Sequence, residues 1–102
     1  MDTVIHSIDL IVSNPNIRSG RPVLKDRTLC VSDIAIQKIA HGRDPDEIAA
    51  YFDISLPEVY AALAYYYAHK DDIDRDIRER QNLAAEFKAK RIGSRHDPPL
   101  LG

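Results

Sequence analysis

Histidine, cysteine and closely spaced carboxylates are the side chains of this chain that could hold a metal ion or move a proton. His6, His41, His69 and His96 are scattered and form no His-x-x-x-His pair. Imidazoles on one helical face need about one turn between them to share an ion. Asp71, Asp72, Asp74 and Asp76 look at first like the start of a calcium loop. Such a loop also needs a glycine in its middle and a bidentate glutamate at its end, and neither stands at the right offset. A solvated helix start explains the four acids better, because carboxylates there complement the helix dipole. Cys30 is the one cysteine, so no internal disulfide can form, which fits a reducing cytoplasm. It lies in an apolar stretch without a spaced His or Cys partner, and so reads as a buried structural thiol. No Gly-rich phosphate loop and no Cys-x-x-Cys occur. Serine, histidine and aspartate are present, but a triad is a spatial arrangement that nothing here assembles. The expectation is a protein that is not an enzyme and takes no cofactor or metal.

The bulk numbers narrow the class further. A chain of 102 residues is the size of one domain. Its apolar fraction of 44% is ordinary for a globular protein, with 29% charged residues. No apolar run approaches the ~20 residues that span a bilayer. Met1-Asp2-Thr3-Val4 offers no basic region ahead of an apolar core, so a signal peptide is not expected. The expected setting is cytoplasmic, away from any membrane. Net charge is −2, but its distribution is uneven. Residues 1–43 carry six Lys/Arg against four Asp/Glu, and residues 44–69 carry five acids and no Lys or Arg. Residues 70–102 carry eight bases against seven acids. A nucleic-acid binder usually shows a basic face, and only the two ends of this chain could supply one.

The elements that must position these groups can be read from pattern. Ile8-Asp9-Leu10-Ile11-Val12 alternates loosely and predicts a short strand, followed by the turn cluster Ser13-Asn14-Pro15-Asn16. Arg21-Pro22-Val23-Leu24 and Thr28-Leu29-Cys30-Val31 flank Lys25-Asp26-Arg27 and predict a small hairpin. Pro22 cannot donate to a ladder, which argues for an edge position. From Ser32, a plausible N-cap, Ile34, Ala35, Lys38 and Ile39 follow at helical spacing, and Gly42 is placed to end that helix. Asp44-Pro45-Asp46-Glu47 and Ser55-Leu56-Pro57-Glu58 are two capping boxes with proline in the first turn. A fourth helix is expected from about Asp71 to Arg91. Its pairs Asp71–Arg75, Asp74–Arg78, Asp76–Arg80 and Glu86–Lys90 are four apart, acid first. The expected fold is mainly α: a homeodomain-like helix-turn-helix with a short N-terminal β hairpin and a long C-terminal helix. The expected organisation is a hairpin and helix-turn-helix domain over 1–70, a charged helix over 71–92 and a flexible tail over 93–102.

The helix-turn-helix is carried by Ala49, Asp53, Ile54, Ser55 and Val59. A small residue lets the second helix approach, the turn needs a left-handed residue, and two apolar residues fill the corner. Asp53 stands where glycine is usual, and aspartate visits that conformation more readily than most residues. A fold of this kind is not by itself DNA binding. The exposed early positions of the second helix are Ser55, Leu56, Pro57, Tyr60 and Ala61. None is an Arg, Lys, Asn or Gln, the usual base readers. DNA contact would have to come from Arg18, Arg21, Lys25, Arg27, Lys38 and Arg43. Tyr60, Tyr65, Tyr66 and Tyr67 suit a core or a subunit interface, where tyrosine is common.

Asn14-Pro15, Ser19-Gly20-Arg21-Pro22-Val23-Leu24-Lys25, Val31-Ser32-Asp33-Ile34, Glu47-Ile48-Ala49 and the Ser55-to-Leu63 helix together resemble a widespread small bacterial family. That family is catalogued as a domain of unknown function and commonly described as antitoxins. The resemblance covers roughly residues 8–70, and Gly-Arg-Pro-Val is its most specific part. The family pattern continues with Gly-Thr-Arg, where this chain reads Asp26-Arg27-Thr28; the glycine is lost and the arginine comes one residue early. The resemblance implies a homeodomain-like fold and a neighbour with a PIN-like, metal-dependent ribonuclease fold. The leading expectation is an antitoxin-type binder that neutralises such a partner through its C-terminal third. Ile73, Ile77 and Phe87 would be apolar anchors, with Lys88, Lys90, Arg91 and Arg95 reaching an acidic pocket. The alternatives are a DNA-binding regulator, possible on its own operator, and a homo-oligomer with neither role. A dimer is the default, since twofold pairs are commonest.

Overall fold

In a computed structural model, the described residues are 3, 6 and 8–95, with side chains described as far as residue 90. The chain divides into two units, Met1–Lys70 and Asp71–Gly102. The first contains strands β1 (Ile11–Val12) and β2 (Val23–Leu24) and helices α1 (Val31–Ile39), α2 (Pro45–Phe52) and α3 (Leu56–Ala68). The second is built on α4 (Lys70–Arg95).

The N-terminal sheet pairs more distant segments than the sequence suggests. β1 pairs antiparallel with β2, with Ile11 opposite Leu24 and Val12 opposite Val23. The hairpin expected between residues 21–24 and 28–31 is reduced to an isolated bridge, Val23 to Cys30. Its polar turn nonetheless closes: Leu24 N–H donates to Leu29 O at 3.0 Å and Arg27 N–H to Leu24 O at 3.0 Å. Lys25 N–H donates to Leu10 O on the other side, at 2.8 Å. β2 is therefore flanked on both sides, and Pro22 is not at a sheet edge. It precedes the first strand residue, where the missing N–H costs nothing, and its carbonyl accepts from Val31 N–H at 3.0 Å. The predicted strand over residues 8–12 is regular only over its last two residues.

Each helix start follows from a side chain that satisfies orphan amides. α1 starts two residues earlier than Ser32 implies. Cys30 is its N-cap, and Cys30 N–H donates to the Asp33 carboxylate at 3.1 Å. Ser32 lies inside the helix and is buried. Gly42 takes φ 64 after α1, and Arg43 N–H donates back to Gln37 O at 3.1 Å. The two predicted capping boxes form. Asp44 and Glu47 exchange amide-to-carboxylate bonds of 2.9 Å each; Ser55 N–H donates to the Glu58 carboxylate at 2.9 Å and Glu58 N–H to the Ser55 hydroxyl at 3.3 Å. Between α2 and α3, Asp53 adopts φ 56, ψ 52, a left-handed residue capping α2. Ile54 and Val59 are buried at the corner.

α3 is the centre of the first unit: α1 and α2 both pack on it, and β1 touches it. The core joins Val23 and Leu24 of β2, Val31 and Ile34 of α1, Ile48 of α2, and Val59, Ala62, Leu63 and Tyr66 of α3. Cys30 is buried there and takes part in no disulfide. In the second unit, α4 extends past the expected end near residue 91 and includes Gly93, Ser94 and Arg95. Residues 96–102 of the expected tail, with His96, lie outside the described residues. Among the described residues, no helix is long and apolar enough to cross a membrane.

Candidate functional site

The turn at residues 25–27 and the start of α3 are joined by one ion pair. Asp26 takes φ 62, the left-handed conformation that glycine would adopt most easily. This turn aims Arg27 at α3. Arg27 Nε donates to Glu58 Oε2 at 2.7 Å and Nη2 to Oε1 at 3.2 Å. Such bidentate pairing fixes geometry as well as charge. Glu58 Oε1 also accepts from Ser55 N–H and Ser55 Oγ, each at 2.9 Å. With Arg27 and Ser55 on its oxygens, the Glu58 carboxyl is pulled down to about 2. The same pairing raises the Arg27 guanidinium above its ordinary value. The early arginine thus cancels the one negative charge on α3.

The remaining cations proposed for DNA contact are spread over different tasks. Arg18 Nη1 donates to Thr28 O at 3.0 Å and stands 3.5 Å from the Asp33 carboxylate. It anchors a left-handed turn in which Arg18, Ser19 and Gly20 all have positive φ, at 49, 58 and 80°. Arg21 Nη1 donates to Arg18 O at 3.3 Å. The Arg43 guanidinium lies 4.2 Å over the ring centroid of Tyr51, a cation–π contact. Lys25 is exposed on the turn, and Lys38 is half-buried on α1. Four of the six are thus held by neighbours within the first unit rather than left for phosphates.

The face of α3 that a DNA reader would turn to the major groove is apolar. Pro57, Tyr60, Ala61, Ala64 and Tyr65 recur at helical spacing and form one wall of an open groove of about 520 Å³. Ile8, Asp9 and Ile11, in and ahead of β1, form the other wall. Ile8 is 75% exposed and Tyr60 56% exposed at its rim. Sequence reasoning missed this groove, because the contribution of residues 8–11 depends on β1 meeting α3. The four tyrosines do not share one role. Tyr66 is 1% exposed and belongs to the core, not to an interface. Tyr60 and Tyr67 are exposed, and Tyr65 stacks on His69 with centroids 4.1 Å apart.

Along α4, the three expected apolar anchors also separate. Ile73 is buried, Ile77 half-buried, and Phe87 63% exposed. Leu83, not singled out from the sequence, is 65% exposed one turn before Phe87. Lys88 and Lys90 are exposed beside them, while the side chains of Arg91 and Arg95 lie outside the described residues. Among the described residues, no three His, Cys, Asp or Glu side chains gather where a metal ion could be held.

Comparison with known proteins gives one match. The family described as Protein of unknown function (DUF433) matches residues 11–66, more than half of the chain. No curated protein and no solved structure matches it.

Proposed function

From a chain that belongs to this DUF433 family, we propose a protein-binding role of the antitoxin type: capture and neutralisation of a PIN-like ribonuclease. The observation that carries a protein partner, rather than DNA, is the outward face of α3. Pro57, Tyr60 and Ala61 line an apolar groove there. That face carries no Arg, Lys, Asn or Gln, the side chains that usually read base edges and so specify a DNA site. Apolar and aromatic surface of this kind suits a protein contact.

The contact to the ribonuclease is assigned to the second unit. α4 presents Leu83 and Phe87 one turn apart, with Lys88 and Lys90 alongside. Two apolar residues four apart on an exposed helix can serve as anchors in a partner's groove, and the neighbouring cations suit the carboxylates of a metal-dependent nuclease. A DNA-regulating role finds less support, since Arg18, Arg27 and Arg43 are already engaged within the first unit.

The test is co-expression of the tagged full chain with the PIN-like product of an adjacent gene. Capture of that protein and loss of its ribonuclease activity are expected. The double variant Leu83→Glu, Phe87→Glu should lose capture. Intact capture by that variant would remove α4 from the contact, and no capture by the natural chain would remove the reading itself.

A further inference from the structure

α3 is apolar on two faces. Val59, Ala62, Leu63 and Tyr66 are buried in the core of the first unit. Pro57, Tyr60, Ala61, Ala64 and Tyr65 form the floor of the groove against β1. Its one acidic residue, Glu58, is committed to Arg27 and Ser55. A helix apolar all round is normally covered all round, and among the described residues this one is buried on one side. Small Ala61 and Ala64 between Tyr60 and Tyr65 make a trough of about 520 Å³, roomy enough for two large side chains.

The same chain carries a surface with the opposite need. α4 over residues 81–90 is exposed throughout, including Leu83 and Phe87. Two residues four apart on a helix are ~6 Å apart along its axis and share one face. Charge matches as well. Among the described residues, Asp9 is the one acidic side chain lining the groove, and the segment that supplies the α3 wall, residues 44–69, has five acids and no Lys or Arg. Phe87 is followed by Lys88, with Lys90 next on the exposed helix.

We propose that the groove between β1 and α3 receives the Leu83–Phe87 face of α4 from a second copy of the chain, with Lys88 directed to Asp9. Reciprocal insertion gives a closed twofold dimer in which each copy supplies one helix and one groove. Leu83 and Phe87 then serve either the dimer or the ribonuclease, so partner capture separates the two copies. The dimer stands on the purified chain alone and does not depend on the ribonuclease reading.

Sedimentation of the purified full chain tests the dimer. A concentration-dependent dimer is expected. Ala64→Glu in the groove and Phe87→Glu on α4 should each raise its dissociation constant at least tenfold. Both residues are exposed, and circular dichroism checks that each variant keeps its fold. Asp9→Lys should weaken the dimer, and adding Lys88→Asp should restore it. Mixed copies of different mass, one Ala64→Cys and one Leu83→Cys, should cross-link to each other on oxidation. A monomer at all concentrations, a dimer insensitive to Ala64→Glu, or cross-links formed only within one copy carrying both cysteines would each overturn the proposal.

Discussion

Asp26 and Asp53 both hold positive φ, at 62 and 56°, and both stand where a glycine is the usual solution. Aspartate tolerates this region because its short polar side chain can bond locally. Two turns therefore close on aspartate rather than glycine. The arginine that follows has a different consequence. Arg27 draws the Glu58 carboxyl down to about 2 from an ordinary 4.5. A depressed carboxylate stabilises the fold above its unfolded value and loses that contribution as pH falls through its folded value. The contribution should thus fade between about pH 4.5 and 2. Glu58→Gln should flatten the stability profile over that window in acid titrations followed by circular dichroism. Arg27→Met should narrow the window from below, because Glu58 would titrate closer to its ordinary value. An unchanged acid profile in both variants would show that the pair is idle.

At the scale of elements, α3 does the most work. It supplies the inner face of the core and the floor of the groove, and these two faces answer differently to substitution. Ile34 of α1 is fully buried, in the part of the core where α1 packs on α3. Ile34→Ala should cost about 2–5 kcal/mol, from lost burial and the cavity left behind. Ala64 is exposed on the opposite face, and a surface substitution there should stay within about 0.5 kcal/mol. Urea denaturation of the two variants at a concentration low enough to keep the chain monomeric separates these effects. A large loss at Ala64 would mean that its face is covered within one copy. α4 contrasts with α3. It carries few apolar residues and is held by pairs such as Asp72–Arg75 at 2.9 Å and Asp76–Arg80 at 3.4 Å. The exposed Asp72–Arg75 pair adds little, and an isolated helix is marginal in water. Such an element gains most from a partner.

For the whole molecule, charge placement decides between partners. Arg18, Arg21 and Arg27 hold turns and the start of α3, and α3 itself carries no Lys or Arg. A gel shift with DNA from upstream of the gene should show no specific band even at low salt, where phosphate contacts are strongest. A specific, steeply salt-dependent band would show that Lys25, Lys38 and the engaged arginines form a basic surface after all.

Local chemistry was sufficient for much of this protein. The capping boxes at Asp44 and Ser55, the left-handed turn at Asp53 and the run of α3 are each set by residues within one or two turns of each other. The short range of capping and backbone sterics makes such features legible in a sequence. Other features required distant segments to meet. β1 chose β2 over a simple local hairpin, because residues 10–12 offered a ladder to the side of β2 that the turn leaves open. Arg27 found Glu58 across 31 residues, and Tyr66 turned inward while Tyr67 turned out. The groove is the clearest case: Ile8 and Tyr60 are unremarkable singly, and become one surface only when β1 is laid against α3. Residue types and spacing by themselves show no ordinary catalytic or metal motif. Where binding is sought was decided by packing, because burial and adjacency belong to the folded chain and not to the order of its residues.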